Sequence, residues 1–306
     1  MHLKASVLIN AYNYRRFVGE ALASALAQRR TPLEVILVDD GSTDGTAEWV
    51  EAEFAARDPR VRVIRQANAG QLSAFCTGVA AAQGDVFFFL DADDTWEPTY
   101  LGTVLGRMES YPEIDYIFSG HVRSDGAPPL MQGEQGDRVL GRRSAMAYAL
   151  GKFPMAMTSA VAMRASLARR FLPLPSAFDP EWKTDADQVL ALGAALAGGL
   201  CVFISGKEVR YRIHGANHFS GRPGSRDPAV REARRKRAER ARLALIERLG
   251  LGPDTAAGIF EEFASIERPK LRECRHAMKT ALAAPAGFGR RAWFAGFILA
   301  RFLGLR

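Results

Sequence analysis

Two acidic clusters in this 306-residue chain each follow an apolar run: Asp39-Asp40 after Val35-Ile36-Leu37-Val38, and Asp91-Ala92-Asp93-Asp94 after Val86-Phe87-Phe88-Phe89-Leu90. Three carboxylates packed this closely repel one another unless a cation or hydrogen-bond donors occupy the space between them. Oxygen ligands without cysteine or clustered histidine favour Mg²⁺ or Mn²⁺, which commonly bridge a protein carboxylate to diphosphate oxygens. The same turns also read as acidic caps on the helices that follow, and spacing alone leaves both readings open. Further along, Asp185 and Asp187 stand at the start of a helical stretch and His214 follows a strand-like stretch, Val209 to Ile213. No residue resembles an activated Ser or Cys nucleophile.

The elements that must position these groups alternate in type. Ser6 to Asn10 is a short apolar run, followed by Phe17, Val18, Ala21, Leu22, Ala25 and Leu26 at helical spacing, with Pro32 ending the segment. After Val35 to Val38, Asp39 to Gly45 is turn and cap chemistry. A helix through Ala47, Val50 and Phe54, a strand from Val61 to Ile64, and a helix opened by Asn68-Ala69-Gly70 come next. Gly84 stops that helix before the fourth strand, Val86 to Leu90. Strands buried on both faces and separated by helices pair in parallel through crossovers, so the fold class is α/β. In such open sheets ligands gather outside the carboxyl ends of the strands, where both acidic clusters fall.

After Asp94 the rhythm loosens. Pro98 suits a first helical position, and Tyr100, Leu101, Val104, Leu105 and Met108 continue that helix. Ile114 to Ser119 and Ala156 to Met163 read as strands, with a Gly- and Pro-rich loop from Gly120 to Gly141. Asp187 to Ala197 reads as a helix, Leu200 to Ile204 and Val209 to Ile213 as strands, and the chain beyond Gly221 as helical and Arg-rich.

Composition narrows the class. Hydrophobic residues make up 48% and charged residues 25%, which is ordinary for a globular protein and too apolar for a disordered one. Cys76, Cys201 and Cys274 lack paired spacing, which excludes a disulfide framework and a cysteine-based zinc finger. The opening MHLKASVLIN enters a strand pattern at once, and no apolar run reaches the roughly 18 residues of a spanning helix. A cytoplasmic protein is expected. Of the net charge of +7, the stretch from Arg226 onward supplies 18 Lys and Arg against 9 Asp and Glu. The body is near neutral, which argues against a surface built to grip nucleic acid.

Val7-Leu8-Ile9-Asn10-Ala11-Tyr12-Asn13, Leu37-Val38-Asp39-Asp40-Gly41-Ser42-Thr43-Asp44-Gly45-Thr46, Asn68-Ala69-Gly70 and Phe89-Leu90-Asp91-Ala92-Asp93-Asp94 together resemble the family-2 inverting glycosyltransferases. The likeness resumes at Thr184-Asp185-Ala186-Asp187 and at Tyr211-Arg212-Ile213-His214-Gly215-Ala216-Asn217, and spans roughly residues 5 to 220. Two positions depart from the family pattern: it often has proline where Asn10 stands and glutamate where Thr184 stands. Neither change removes a carboxylate that the resemblance requires.

The resemblance implies a GT-A fold, a Rossmann-like, mostly parallel sheet flanked by helices, with a helical basic C-terminal extension. It also implies metal-dependent transfer from a nucleotide diphosphate sugar to a carbohydrate or lipid-linked glycan acceptor, in polysaccharide, lipopolysaccharide or other glycan assembly. Asn10, Tyr12 and Asp40 would hold the nucleobase and ribose, and Asp93 would bind Mg²⁺ or Mn²⁺ directly. Asp91 would lie near the ribose or the metal, His214 near the diphosphate and metal, and Asp185 would be the base. Three local alternatives stay open: Tyr12 as a strand-end core aromatic, Asp94 as a helix cap, and Asp187 as the rival base. Arg212 is expected to pack against the body.

A nucleotidyltransferase would be expected to carry a Gly-rich basic loop after its first strand, where Ala11-Tyr12-Asn13-Tyr14 stands. A noncatalytic binding module would be expected to have lost a metal carboxylate or the base. The expected division is a catalytic domain over 1–221, with a nucleotide-sugar half to about 98 and an acceptor half beyond it, then a helical region over 222–306. The tail from Gly287 carries Phe288, Trp293, Phe294, Phe297, Ile298, Leu299, Phe302, Leu303 and Leu305 beside Arg290, Arg291 and Arg306. It suits peripheral attachment to the cytoplasmic membrane face, or packing on the body or a second subunit. Arg301 falls on the side of Trp293 and Phe297 and would have to snorkel.

Overall fold

The computed structural model describes residues 2–127, 136–154, 157–174, 185–214 and 228–304. Thr184, Gly215, Ala216, Asn217, Ala156, the middle of the Gly120–Gly141 loop, Leu305 and Arg306 lie outside the described residues.

The first half follows the strand–helix rhythm of the sequence. In chain order come β1 (Ala5–Ala11), α1 (Val18–Leu26), β2 (Glu34–Asp39), α2 (Thr46–Val50) with a π-helical turn (Glu51–Ala55), β3 (Val61–Arg65), α3 (Gln71–Ala81) and β4 (Val86–Asp91). These strands lie in the order β3-β2-β1-β4, all parallel. The β4 run shows how an all-apolar strand is used twice. Phe87 and Phe89 enter the core on one face with Leu8, Ile36 and Val38, while Phe88 and Leu90 enter the other with Val7, Ile9 and Leu37. Alternation at a period of two sends successive side chains to opposite faces, so a strand covered on both sides has no polar position.

Beyond β4 the sheet becomes mixed. The elements are β5 (Thr95–Trp96), α4 (Tyr100–Ser110), β6 (Tyr116–Arg123), β7 (Arg138–Gly141), α5 (Ser144–Leu150), β8 (Val161–Arg164), α6 (Ala165–Phe171), α7 (Ala186–Leu196) and β9 (Cys201–Tyr211). β8 runs antiparallel to β4 and β6, β9 runs parallel to β6, and β5 and β7 pair antiparallel with β9. Two sequence expectations are corrected. The expected loop from Gly120 begins as strand, since β6 continues to Arg123, and the two expected strands at 200–213 form one strand, β9. A glycine stands at each place, Gly120 and Gly206. A Cβ on Gly120 would lie 2.6 Å from the carbonyl oxygen of Gly206, so the close approach of β6 and β9 requires glycine there. The pairing register shifts at this point, between Ser119 and His121.

The C-terminal region comprises α8 (Pro228–Arg248), α9 (Ile259–Glu262), α10 (Leu271–Ala283) and α11 (Phe288–Phe302). α8 contributes Ala241 and Leu245 to the core on the Phe87 face of the sheet. α9, α10 and α11 enclose a third core with Ala145 and Met146 of α5. Among the described residues no helix is long and apolar enough to cross a membrane.

Candidate active site

Strand register gathers the first group of site residues. Asn10 is paired with Val38 on one side and Asp91 on the other, and Ala11 with Asp39, so β1, β2 and β4 end together at one edge. The loops there are tied across strands: Ser42 Oγ accepts from the Asn13 N–H (2.9 Å), and Asn13 Oδ1 accepts from the Thr43 N–H (2.7 Å). Tyr12 is 46% exposed beside them, which removes the reading of a buried strand-end aromatic.

Asp39 and Asp40 divide their work differently from the sequence expectation. Asp40 accepts from Gln66 Nε2 (2.7 Å) and from the backbone N–H groups of Ala69 (2.9 Å) and Gly70 (2.8 Å). Its carboxylate thus anchors the Asn68-Ala69-Gly70 turn. Asp39 accepts from the Ser42 N–H through Oδ2 (3.1 Å), while its buried Oδ1 has no hydrogen-bond partner among the described residues. Gly41, at φ +77°, lets the Asn68 backbone approach closely enough that a Cβ would lie 2.9 Å from the Asn68 nitrogen.

The second cluster sits at the end of β4. Asp91 Oδ1 accepts from Gln71 Nε2 (2.7 Å), and Gln71 Oε1 accepts from the Ala186 N–H at the start of α7 (3.0 Å). One side chain therefore links the β4 carboxylate to the segment carrying Asp185. Asp93 Oδ2 lies 2.9 Å from His214 Nε2, and the His214 ring stacks on Phe17 with centroids 4.6 Å apart. Asp94 is not a helix cap. It is buried, accepting from Ser159 Oγ (2.6 Å) and the Arg212 N–H (2.9 Å), and so pins the acidic turn to the end of β9. Arg212 also donates through Nε to the Asp93 carbonyl (2.9 Å), which places it at the site rather than only against the body.

Burial and mutual repulsion define the electrostatics. The Asp91 carboxyl is pushed up to about 8, by burial first and then by Asp93 and Asp187. Asp94 is held well above the usual carboxylate range by burial first and then by Asp93 and Asp91. Asp187 is pushed up to about 7 by burial and the adjacent Asp185 carboxylate. Asp185 itself, at φ +68° ahead of α7, is paired with Arg237 of α8. Among the described residues no three His, Cys, Asp or Glu side chains converge into a complete metal cage. Mg²⁺ does not need one, because it is usually held by one or two carboxylates with substrate phosphates and water. A buried carboxylate cluster whose protons are held this tightly has the donor chemistry for such an ion.

Without a divalent ion, the protein should lose heat stability between pH 6 and 8. Asp187, Asp91 and Glu262 (pushed up to about 7, chiefly by burial) bind protons more tightly folded than unfolded. Their contribution is complete below the unfolded value of about 4 and is lost as pH rises through 7 to 8. Asp125, held down to about 2 beside Arg123, has its full effect well before pH 6. His121, lowered by burial, opposes the trend only up to its ordinary value of about 6.5. Calorimetry in chelator should show Tm falling by on the order of 5 °C over this range. A flat or rising profile rejects the buried repulsion.

The sequence profile of Glycosyl transferase family 2 matches residues 6–172, more than half of the chain. The chain belongs to this family. An uncharacterized glycosyltransferase of Nostoc sp. is 31% identical to this family-2 protein over 221 residues, covering 71% of this chain and 66% of that one. The glycosyltransferase GlyA of Streptococcus pneumoniae is 33% identical over 134 residues, covering 40% of this chain and 19% of that one. The matched regions thus span less than two thirds of these curated relatives. Staphylococcus aureus TarS shares the fold with a TM-score of 0.61 at 17% identity, over 99% of this chain and 54% of that one. A shorter TarS structure in complex with UDP-GlcNAc aligns with a TM-score of 0.59 at 18% identity, over 99% of this chain and 73% of that one. The likeness establishes a GT-A α/β fold with its helical C-terminal region.

Proposed function

We propose that this family-2 protein transfers a sugar, with inversion, from a nucleoside diphosphate sugar to a hydroxyl of a carbohydrate or lipid-linked glycan acceptor. The reaction would serve glycan assembly on the cytoplasmic side of the membrane. The observation that carries this reading is the Gln71 bridge, which joins Asp91 of the donor edge to the helix start bearing Asp185. TarS, which shares the fold, has been crystallised with UDP and with UDP-GlcNAc, which supports a nucleotide-sugar donor.

Each residue then has a chemical role. Tyr12 packs against the nucleobase, while Asn10 and the end of β2 accept from base N–H and ribose O–H groups. The unmet acceptor on Asp39 makes that residue a partner in a task the family resemblance gives to Asp40. Asp93 and Asp91 would hold Mg²⁺ or Mn²⁺ with His214 beside the diphosphate; the ion supplies positive charge next to the departing diphosphate. Arg212 and Ser159 keep the acidic turn in place through Asp94. Asp185 takes the proton of the acceptor hydroxyl as the new bond forms at the anomeric carbon, opposite the nucleotide. Arg237 must release the carboxylate, or share it, when the acceptor arrives.

The test is a panel of nucleotide sugars scored for acceptor-dependent nucleotide release, with the anomeric configuration of the product determined. Inverted product is expected. Retained configuration, or transfer of the nucleotide itself, rejects the reading.

A further inference from the structure

α11 reverses the usual arrangement of a surface helix, in which apolar residues face the body and charges face water. Phe294 and Ile298 are buried in the third core, as expected for packing. The arginines, however, also turn toward the protein. Arg301 donates to the carbonyl oxygens of Ala264 (3.2 Å) and Ile266 (2.5 Å), and Arg291 to that of Ala284 (2.9 Å). The Arg290 guanidinium lies 4.4 Å over the Phe260 ring. Arg301 therefore does not share an outward face with Trp293, which corrects the sequence expectation.

At about 100° per residue, Phe288, Ala292, Trp293, Gly296, Leu299 and Leu303 fall on the outward side, which carries no charge. The four large ones are exposed by 86% (Phe288), 62% (Trp293), 58% (Leu299) and 60% (Leu303). Trp293 is braced by Phe297, whose ring stacks on it with centroids 5.4 Å apart. We propose that this face docks into the headgroup region of an anionic membrane, with α11 lying in the plane of the interface. A 15-residue helix is about 22 Å long, too short to span and suited to lying flat.

Charge selects lipid over a second copy of the chain. From Arg268 onward nine Lys and Arg stand against Glu273 as the one acidic residue. Arg272, Arg275 and Lys279 are exposed on α10, which packs on α11. The face of α11 is itself uncharged, but the exposed basic side chains of neighbouring α10 would repel those of a second copy docked beside them, whereas anionic headgroups attract them.

Docking through α11 does not depend on the transfer reaction, so its test needs no activity. Truncation is the wrong instrument, because it would strip Phe294 and Ile298 from the third core. Instead, the full chain is floated with vesicles of equimolar phosphatidylcholine and phosphatidylglycerol, and with phosphatidylcholine alone. One variant carries Trp293→Ser, Leu299→Ser and Leu303→Ser together; a second carries Arg272→Gln, Arg275→Gln and Lys279→Gln. Thermal melts check that both stay folded. The wild type should float with the anionic vesicles and far less with the neutral ones. The first variant should lose roughly tenfold or more in binding, since three exposed apolar side chains no longer enter the interface. The second should lose its preference for anionic lipid. Failure of the wild type to float, or equal flotation of the first variant, overturns the proposal. So does a wild-type dimer that leaves the vesicles alone and becomes monomeric in the first variant.

Discussion

Asp93→Ala should lower donor turnover by on the order of 10³-fold or more while leaving the metal-free protein no less resistant to heat. The two halves of this expectation come from one geometry. Asp93 is the carboxylate placed against His214 at the end of β4, where the reading above puts the ion and the diphosphate. Removing it takes away charge that would balance the leaving group. Yet Asp93 also raises the cost of ionising Asp91 and Asp94, so its removal relieves a buried repulsion. That relief offsets the hydrogen bond lost to His214, a net value of about 1 kcal/mol for an ordinary hydrogen bond. Nucleotide release and a thermal melt on the same preparation check both parts. Full wild-type activity in excess chelator would falsify the metal role outright. An inactive variant that also unfolds would show Asp93 to be structural instead.

Asp185→Asn should reduce turnover roughly 10²–10⁴-fold with little change in donor affinity. Asparagine matches aspartate in size and tolerates the left-handed backbone at φ +68°, so α7 keeps its start. It cannot accept the acceptor's proton. Asp187 is the informative control, because it lies two residues away and its carboxyl, pushed up to about 7, is also suited to proton transfer at neutral pH. Steady-state kinetics of both Asn variants, with donor binding measured separately, distinguish the two. If Asp187→Asn is the more damaging change, the base is Asp187.

Local chemistry was enough to read the first half of the fold, through β4. Apolar runs such as Val86 to Leu90, bounded by Gly84 and Asp91, specify strands buried on both faces. Parallel crossovers then bring the ends of β1, β2 and β4 to one edge. The acidic residues at those strand ends are legible for the same reason, since each directly follows its strand. The part beyond β4 was less legible, because Gly120 and Gly206 mark a close approach of β6 and β9, yet in the sequence they look like loop punctuation.

Tertiary structure alone decided which oxygens are spent and which remain available. Asp40 and Asp39 are neighbours with the same side chain, but the 66–70 segment folds onto Asp40. Gln71, Ser159 and Arg237 carried no sequence signal of a role, because the site groups they bind lie between 20 and 115 residues away along the chain. The direction of Arg301, set by two open carbonyls at 264 and 266, likewise turns an imperfect amphipathic pattern into an uncharged outward face. Periodicity and turn chemistry act over a few residues; the pairing of buried polar groups is fixed only when distant segments pack and each donor must find an acceptor.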